Sequence, residues 1–304
     1  MSFEIISMSD IQKKISSTKN IQKITKAMQT VAASKMKKSQ KKAFDGRPFA
    51  IEMLKLLRNI SEHTKENHFL LQESKEVKKI CCLIITTNKG LCGGLNANVV
   101  NLTEKYIKEK EQEGKEVDLL VFGKKGKNFF NNRHHNLIEN TNLINDEIFL
   151  SDVRPIAETI IQCYLEKKYD LIRIIYSGFV STFQQDAVNQ QVLPIKIDKV
   201  QKIINKYLTE EEIENSKNNH KTYFYKIEPT EKETLDVLLD NLIRVFLYQA
   251  FVESRASEHS ARMMAMKNAS DNADDVIKNL NLKYNKFRQA KITQEIAEIS
   301  SGVI

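Results

Sequence analysis

The 304-residue chain contains no Trp, four Pro, nine Gly and four Cys. So few of the residues that punctuate a backbone argues against a turn-rich β protein and favours long, uninterrupted helices. Cys81, Cys82, Cys92 and Cys163 have no metal-ligand spacing. The adjacent pair Cys81–Cys82 sits in an apolar run, which reads as small buried hydrophobes in a reducing compartment. No run of 18 apolar residues exists, so no membrane-spanning helix is expected. The N-terminal MSFEIISMSDIQKK lacks the apolar core of a signal peptide and carries acids that a mitochondrial transit peptide avoids, so a cytosolic chain is expected. Acids are also missing from Ile11 to Phe44, a 34-residue stretch holding ten lysines. Aromatics are absent between Phe3 and Phe44, which removes stacking platforms for nucleic-acid bases.

What is present is organised around Glu231–Ser301, 71 residues free of Gly and Pro and bounded by Pro229 and Gly302. Two series recur every seven residues: Leu242, Gln249, Ala256, Met263, Ser270, Ile277, Tyr284, and Val245, Val252, His259, Met266, Ala273, Leu280, Phe287. Such a heptad seam predicts a coiled coil, and at about 1.5 Å per residue the helix would be on the order of 100 Å long. A second helical pattern runs from about Phe3 to Ile60. Ile21, Ile24, Met28 and Val31 form one stripe, and Ile11, Ile15, Ala32 and Met36 extend an adjacent one. Gly46 and Pro48 are candidates to kink this helix or end its first segment, with Ile51–Ile60 resuming the pattern. Paired antiparallel, the two helices bury their seams against each other.

Between them, strands are expected at Ile80–Thr86, Val117–Phe122 and Leu171–Tyr176. Helical patterns separate them at Asn96–Glu113 and Ser151–Lys168, with a turn or helix over Gly123–Asn132. Strand alternating with helix predicts a parallel sheet. The fold class is therefore α/β: a long antiparallel coiled coil of the terminal helices plus a central Rossmann-like α/β domain. The expected division is 1–60, 74–229 and 230–304. The polar, Lys/Asn-rich stretch before Tyr225 is expected to be a loop.

Candidate sites are few. The loop Thr87–Gly94 follows the first strand but carries neither a GxxxxGK[ST] nor a GxGxxG pattern, so it reads as a tight turn with an exposed contact surface rather than a nucleotide site. Gly123–Lys127 reads as a basic surface turn. His134–His135 lacks further ligands at metal spacing. Met263, Met264 and Met266 read as seam packing rather than a soft-metal strip. No Ser/His/Asp or Cys/His set stands out. No catalytic residue, metal or cofactor is expected. The net charge of +8 and the lysine run point to an acidic partner, because ten like charges along one helix repel one another.

Three blocks then carry a resemblance: Ile21–Lys41 (IQKITKAMQTVAASKMKKSQK), Thr87–Ala97 (TNKGLCGGLNA), and Ala256–Asp274 running into Tyr284–Ser300 (ASEHSARMMAMKNASDNAD, YNKFRQAKITQEIAEIS). Together they resemble the gamma-subunit family of rotary F-type ATP synthases over the whole length. The resemblance implies a central-stalk rotor that couples proton-driven c-ring rotation to conformational cycling of the catalytic beta subunits. It implies alpha, beta and epsilon subunits and the c-ring as partners, with no nucleic acid and no nucleotide on this chain. It implies contact with the beta subunits through Met28, Lys89, Cys92, Arg262, Gln289, Thr293 and Glu295. It also implies a peripheral place on the cytoplasmic face of a bacterial inner membrane. The family's chloroplast-type cysteine insertion is not recognisable, and Leu208–Lys221 fits least well. The rival readings are a basic coiled-coil protein that binds nucleic acid or acts as a scaffold, and a doubly wound nucleotide enzyme.

Overall fold

The structure, a computed structural model, describes residues 7–63, 68–74, 76–131, 133, 136–138, 147–196, 228 and 230–302. His134–His135 and the segment Leu208–Lys221 lie outside them. The elements are α1 (Met8–His63), a 3₁₀ turn (Phe69–Leu71), β1 (Lys79–Ile85), α2 (Leu95–Gln112), β2 (Glu116–Phe122), α3 (Lys124–Asn131), β3 (Asn136–Leu137), α4 (Leu150–Leu165), β4 (Leu171–Phe179), β5 (Gln185–Leu193) and α5 (Glu231–Ser301). The chain divides into two compact units, Met1–Ser34 with Arg262–Ile304, and Lys35–Ala261.

In the first unit α1 and α5 pair antiparallel. The Gln12 side-chain amide donates to the Tyr284 hydroxyl at 2.8 Å, and that of Gln22 to the Asp274 carboxylate at 2.6 Å. Ten residues forward in one helix match ten back in the other, the signature of an unbroken register. Along α5 the seam is the one the heptads predict. Met266, Ser270, Ala273 and Ile277 are buried, and Met263, Leu280 and Tyr284 half-buried. Phe287 is 48 % exposed. The register sets it level with Ser9, in the first turn of α1.

On α1 the two expected stripes part: Ile11, Ile15 and Ala32 lie on the seam, and the stripe of Ile21, Ile24 and Val31 does not. Ile21, Ile24 and Val31 are 53, 60 and 57 % exposed. The face turned inward is Ile11, Ile15, Thr18, Gln22, Thr25, Gln29 and Ala32, a heptad rich in polar residues. It tolerates burial because its hydroxyls are satisfied locally: Thr18 Oγ1 donates to the Lys14 carbonyl at 2.8 Å and Thr25 Oγ1 to that of Gln22 at 3.0 Å.

The second unit is a three-layer α/β/α arrangement. The sheet order is β3-β2-β1-β4-β5; β5 is antiparallel to β4 and every other pairing is parallel. Alternation along β1 assigns its faces. Cys81, Leu83 and Ile85 join a core with α4 and the parts of α1 and α5 in this unit, while Ile80, Cys82 and Ile84 join a second core with α2 and α3. Burial raises the thiol pKa of both cysteines, that of Cys82 to about 12 even with Arg173 opposing, so these groups behave as protonated core residues. Strands β3 and β5 were not foreseen. The sequence of β5, QDAVNQQVL, is polar because it is an edge strand whose side chains are mostly half-buried.

Helix α1 continues through Pro48 to His63 rather than ending near Gly46. The helix α5 approaches closely here. Gln249 Nε2 donates to the Ala43 carbonyl at 3.1 Å, and a Cβ on Gly46 would stand 3.4 Å from Gln249 Oε1.

Two substitutions separate the two faces of α1. Ile11→Gln should cost about 2 kcal/mol by burying an amide where an alkyl group packs, seen as faster hydrogen exchange of amides in 8–34. Ile24→Gln should change that exchange by no more than about 0.5 kcal/mol equivalent. Equal effects of the two would show that the seam is misassigned.

Candidate functional site: the glycine loop, the buried polar helix and the helix seam

The loop Thr87–Gly94 is held from both sides by polar side chains. Thr87 N–H donates to Asn96 Oδ1 at 3.0 Å, Asn96 Nδ2 donates to Thr87 Oγ1 at 2.8 Å and reaches Cys92 Sγ at 3.3 Å, and Thr87 Oγ1 donates to the Lys89 carbonyl at 2.7 Å. Leu91 and Gly93 take the left-handed conformation, with φ of 63° and 59°. A second clamp ties β1 to the turn after β2. Thr86 Oγ1 donates to the Phe122 carbonyl at 2.8 Å and accepts the Gly126 N–H at 2.9 Å, while Asn88 Oδ1 accepts the Lys124 N–H at 3.2 Å. Both glycines of that turn are required. At Gly123 (φ +94°) a Cβ would lie 2.2 Å from the Thr86 carbonyl oxygen, and at Gly126 one would lie 2.7 Å from Thr86 Oγ1.

This rigid edge presents Lys89, Leu91, Lys124 and Lys125 outward, Leu91 at 62 % exposure. Cys92 is buried, so of the two loop residues expected to touch a partner only Lys89 is placed to do so directly. Cys92 supports the loop from beneath. Leu91, Lys124 and Lys125 were not singled out from sequence. The left-handed backbone that displays Leu91 has no sequence signal of its own apart from the flanking glycines.

Doubly wound sheets take ligands in the crevice at the carboxyl ends of their parallel strands. Here that crevice is narrowed by Phe251, Ser254 and Arg255 of α5, leaving about 30 Å³ beside Thr86, Asn88 and Gly123. That volume admits a water or two. The filling segment is unusual. From Gln249 to Ser260 every residue of α5 is buried, although the stretch carries Glu253, Arg255, Glu258 and His259. Most of the polar groups described here are paired, although the Ser257 hydroxyl is buried without a hydrogen-bond partner. Gln249 Nε2 donates to Glu253 Oε1 at 3.2 Å, the Tyr176 hydroxyl to Glu253 Oε2 at 3.3 Å, Arg255 Nη1 to Glu258 Oε2 at 2.6 Å, and Ser260 Oγ to the Thr182 carbonyl at 2.6 Å. The sequence reading placed Gln249, Ala256 and His259 on a two-helix seam. In the structure this length of α5 is instead enclosed by α1, the sheet and the β4–β5 hairpin. Among the described residues no group of three or more His, Cys, Asp or Glu is arranged to hold a metal.

The remaining expected contact residues lie in the first unit. Met28 is half-buried, and the register sets it level with Asn268. Arg262 is half-buried. Gln289, Thr293 and Glu295 are exposed. The Thr293 hydroxyl donates to the Gln289 carbonyl at 2.9 Å, and Glu295 pairs with Lys291 at 3.8 Å.

A family model described as ATP synthase matches residues 7–304. The ATP synthase gamma chain of Legionella pneumophila (strain Corby) is 37 % identical over 293 residues, covering 96 % of this chain and 97 % of that one. The chain belongs to the ATP synthase gamma-chain family. The gamma chain of Janthinobacterium sp. (strain Marseille) is 36 % identical over 294 residues, with the same coverage. A chain from the Tetrahymena thermophila mitochondrial ATP synthase central stalk and c-ring structure shares the fold. Its TM-score is 0.56 and its identity 24 %, and the match covers 81 % of this chain and 99 % of that one. A chain of the Euglena gracilis mitochondrial ATP synthase (OSCP/F1/c-ring, rotational state 3) aligns with a TM-score of 0.59 at 16 % identity, covering 97 % and 93 %. For a gamma chain, the glycine loop and the paired helices are the parts that the three sequence blocks encode.

The turn glycines give a direct check on the clamp. Gly123→Ala should destabilise the second unit by about 3 kcal/mol, since the new methyl meets backbone at a positive φ. Gly93→Ala, whose Cβ would meet nothing within 4 Å, should cost about 1–2 kcal/mol for the left-handed conformation alone. Urea unfolding of the two variants reads the difference, and equal midpoints would contradict the crossing at Thr86.

Proposed function

We propose that this chain is the central rotor subunit of a proton-translocating F-type ATP synthase. The observation that carries the reading is membership of the gamma-chain family across nearly the whole sequence, joined to a helix pair whose outer face keeps both exposed apolar residues and a lysine run. Residues 1–60 and 230–304 form the torque-bearing helices. Residues 74–229 engage the epsilon subunit and the c-ring. Proton flow turns the ring and this subunit with it. The shaft is asymmetric, with lysines and Ile21, Ile24 and Val31 on α1 and a bare stretch of α5 beyond Tyr284. It therefore meets each of three beta subunits differently and biases each toward a different conformation by differential contact energy. Nucleotide chemistry resides on the alpha and beta subunits, and this chain supplies the conformational input. Met28, Lys89, Arg262, Gln289, Thr293 and Glu295 are the proposed contacts, with Cys92 as the support of the loop. No helix among the described residues is long and apolar enough to cross a membrane, which accords with a peripheral place on the cytoplasmic face of the inner membrane. The family assignment also disfavours the nucleic-acid-binding alternative.

Coupling at Met28 tests this reading. A thioether slides past acidic groups with weak directionality. Met28→Lys would add an ammonium able to pair with a beta-subunit carboxylate. Even about 1 kcal/mol per pair must be broken at every rotational step. The mutant complex should assemble and hydrolyse ATP but pump fewer protons per ATP, with a steeper temperature dependence of turnover. The measurement is acidification of inverted membrane vesicles against phosphate release. An unchanged ratio would remove Met28 from the coupling contact, and failure of the chain to copurify with alpha and beta subunits would remove the rotor reading altogether.

A further inference from the structure

The second unit holds a cavity of about 210 Å³ that the rotor reading does not use. This is far above the 10–15 Å³ or so that a single water needs, so the space is large enough for a hydrated ion or a small molecule. Its floor is Ile148, Val252, Arg255 and His259, all buried, and its rim is Lys35, Lys38 and Lys42 of α1 with Ser39 among them. Among the described residues one acid enters the rim. Glu147 Oε1 lies 3.1 Å from Lys38 Nζ and 2.9 Å from Lys42 Nζ, and hydrogen bonds from Lys42 and Lys38 hold its carboxyl below the ordinary carboxylate range. Arg255 is held in place by its bond to Glu258.

The chemistry of this lining is selective. Three ammonium groups, a guanidinium, an imidazole and a hydroxyl line one space, together with aliphatic surface from Ile148 and Val252. Among the described residues no Phe, Tyr or Trp lines the cavity to stack on a base or sugar, and the ring in its wall is the buried His259 imidazole. Ammonium and guanidinium donors suit tetrahedral oxyanions, whose several oxygens accept bonds from many directions at once. A monocarboxylate already occupies one edge as Glu147, bonded to Lys38 and Lys42.

We infer that this cavity, floored by Arg255 and rimmed by Lys35, Lys38 and Lys42, is a binding site for a phosphate-type oxyanion, with Glu147 as its built-in competitor. The anion takes over Lys38 and Lys42 as Glu147 swings outward. Free phosphate and the terminal phosphate of a nucleoside diphosphate share this chemistry, and titration distinguishes them.

The experiment is calorimetric titration of the full-length chain at low ionic strength with inorganic phosphate, pyrophosphate, ADP and acetate, paralleled by ³¹P line broadening. Saturable one-site binding of phosphate or pyrophosphate, with acetate silent, is expected. A stronger signal from ADP than from inorganic phosphate would assign the site to a nucleotide's phosphate. Lys42→Gln and Lys38→Gln should each weaken binding by about tenfold, the loss expected for one charge-assisted hydrogen bond. Glu147→Gln should tighten it by about threefold by releasing two lysines, within the range of an exposed ion pair. Because Glu147 is partly exposed, this variant is expected to fold and keeps the test decisive if a lysine variant does not. Lys108→Gln and Glu111→Gln, exposed on α2, should change nothing. Phosphate binding equally affected by every charge change, binding of acetate as tight as phosphate, or no binding at all would overturn the site.

Discussion

The structure of the second unit depends on one constraint: α5 is buried on all sides from Gln249 to Ser260 while carrying charged and polar side chains. A helix in that position has its own backbone satisfied, but each buried side-chain amide, carboxylate or hydroxyl needs a partner, because an unpaired one costs about 1–3 kcal/mol. The partners are drawn from three directions. The Ala43 carbonyl on α1 receives Gln249, the Tyr176 hydroxyl on β4 reaches Glu253, and the Thr182 carbonyl at the hairpin tip receives Ser260. Each bond fixes one neighbouring element against the same helix. Apolar contacts alone would allow α5 to slide or rotate, since dispersion is weakly directional. The polar bonds set the rotation and the register, and they do so at the level where the carboxyl ends of β1 and β2 open. Phe251 then stacks edge-on with Phe122, its ring centroid 5.1 Å away, and fills what would otherwise be a ligand crevice.

The sequence carried the existence and type of the main elements because their signals are long-range and redundant. Seventy-one residues without Gly or Pro leave few alternatives to one helix, and the buried strands β1, β2 and β4 are nearly continuous apolar runs. The α5 heptads correctly located the half of the seam at Met266, Ser270, Ala273 and Ile277. Of the two stripes expected on α1, that of Ile11, Ile15 and Ala32 lies in the seam, and that of Ile21, Ile24 and Val31 does not. Hydrophobicity could not choose between them, because the packed face is completed by Thr18 and Thr25, whose hydroxyls bond to their own helix. Hydrophobic periodicity does not report the polar members of a seam. Strand β5 was hidden for a related reason, since an edge strand with half-buried side chains shows no apolar run.

The candidate site was legible as motif and illegible as geometry. The glycines of Thr87–Gly94 marked a special turn, but nothing in the letters distinguishes Lys89, which points outward, from Cys92, which props the loop from within. The difference arises from Asn96, nine residues after Thr87, which reaches back to both Thr87 and Cys92. Likewise the block beginning at Ala256 reads as one continuous motif. Its first residues, to Ser260, sit in the core of one unit, and those from Arg262 onward belong to the helix seam of the other.

That change of role within α5 has an energetic consequence. The seam of the first unit is built from Ile11, Thr25, Ala32, Met266, Ser270, Ala273 and Ile277, of which four bury little alkyl surface. At about 25 cal/mol per Å² of apolar area removed from water, such residues contribute far less than the Leu, Ile and Phe that fill the second unit. Isolated helical segments are themselves marginal in water. The first unit should thus be the part of the chain that opens most readily, its helix pair held by register-setting bonds such as Gln12–Tyr284 and Gln22–Asp274 more than by core volume. On the proposed rotor reading, the need for stiffness is greatest while the pair turns inside its partners. A thin seam of small residues accepts a loss of intrinsic stability in return for a slender cross-section. On that reading the exposed Ile21, Ile24 and Val31 are what surrounding subunits would cover, so that the stiffness the pair lacks alone would be completed by the walls in which it turns.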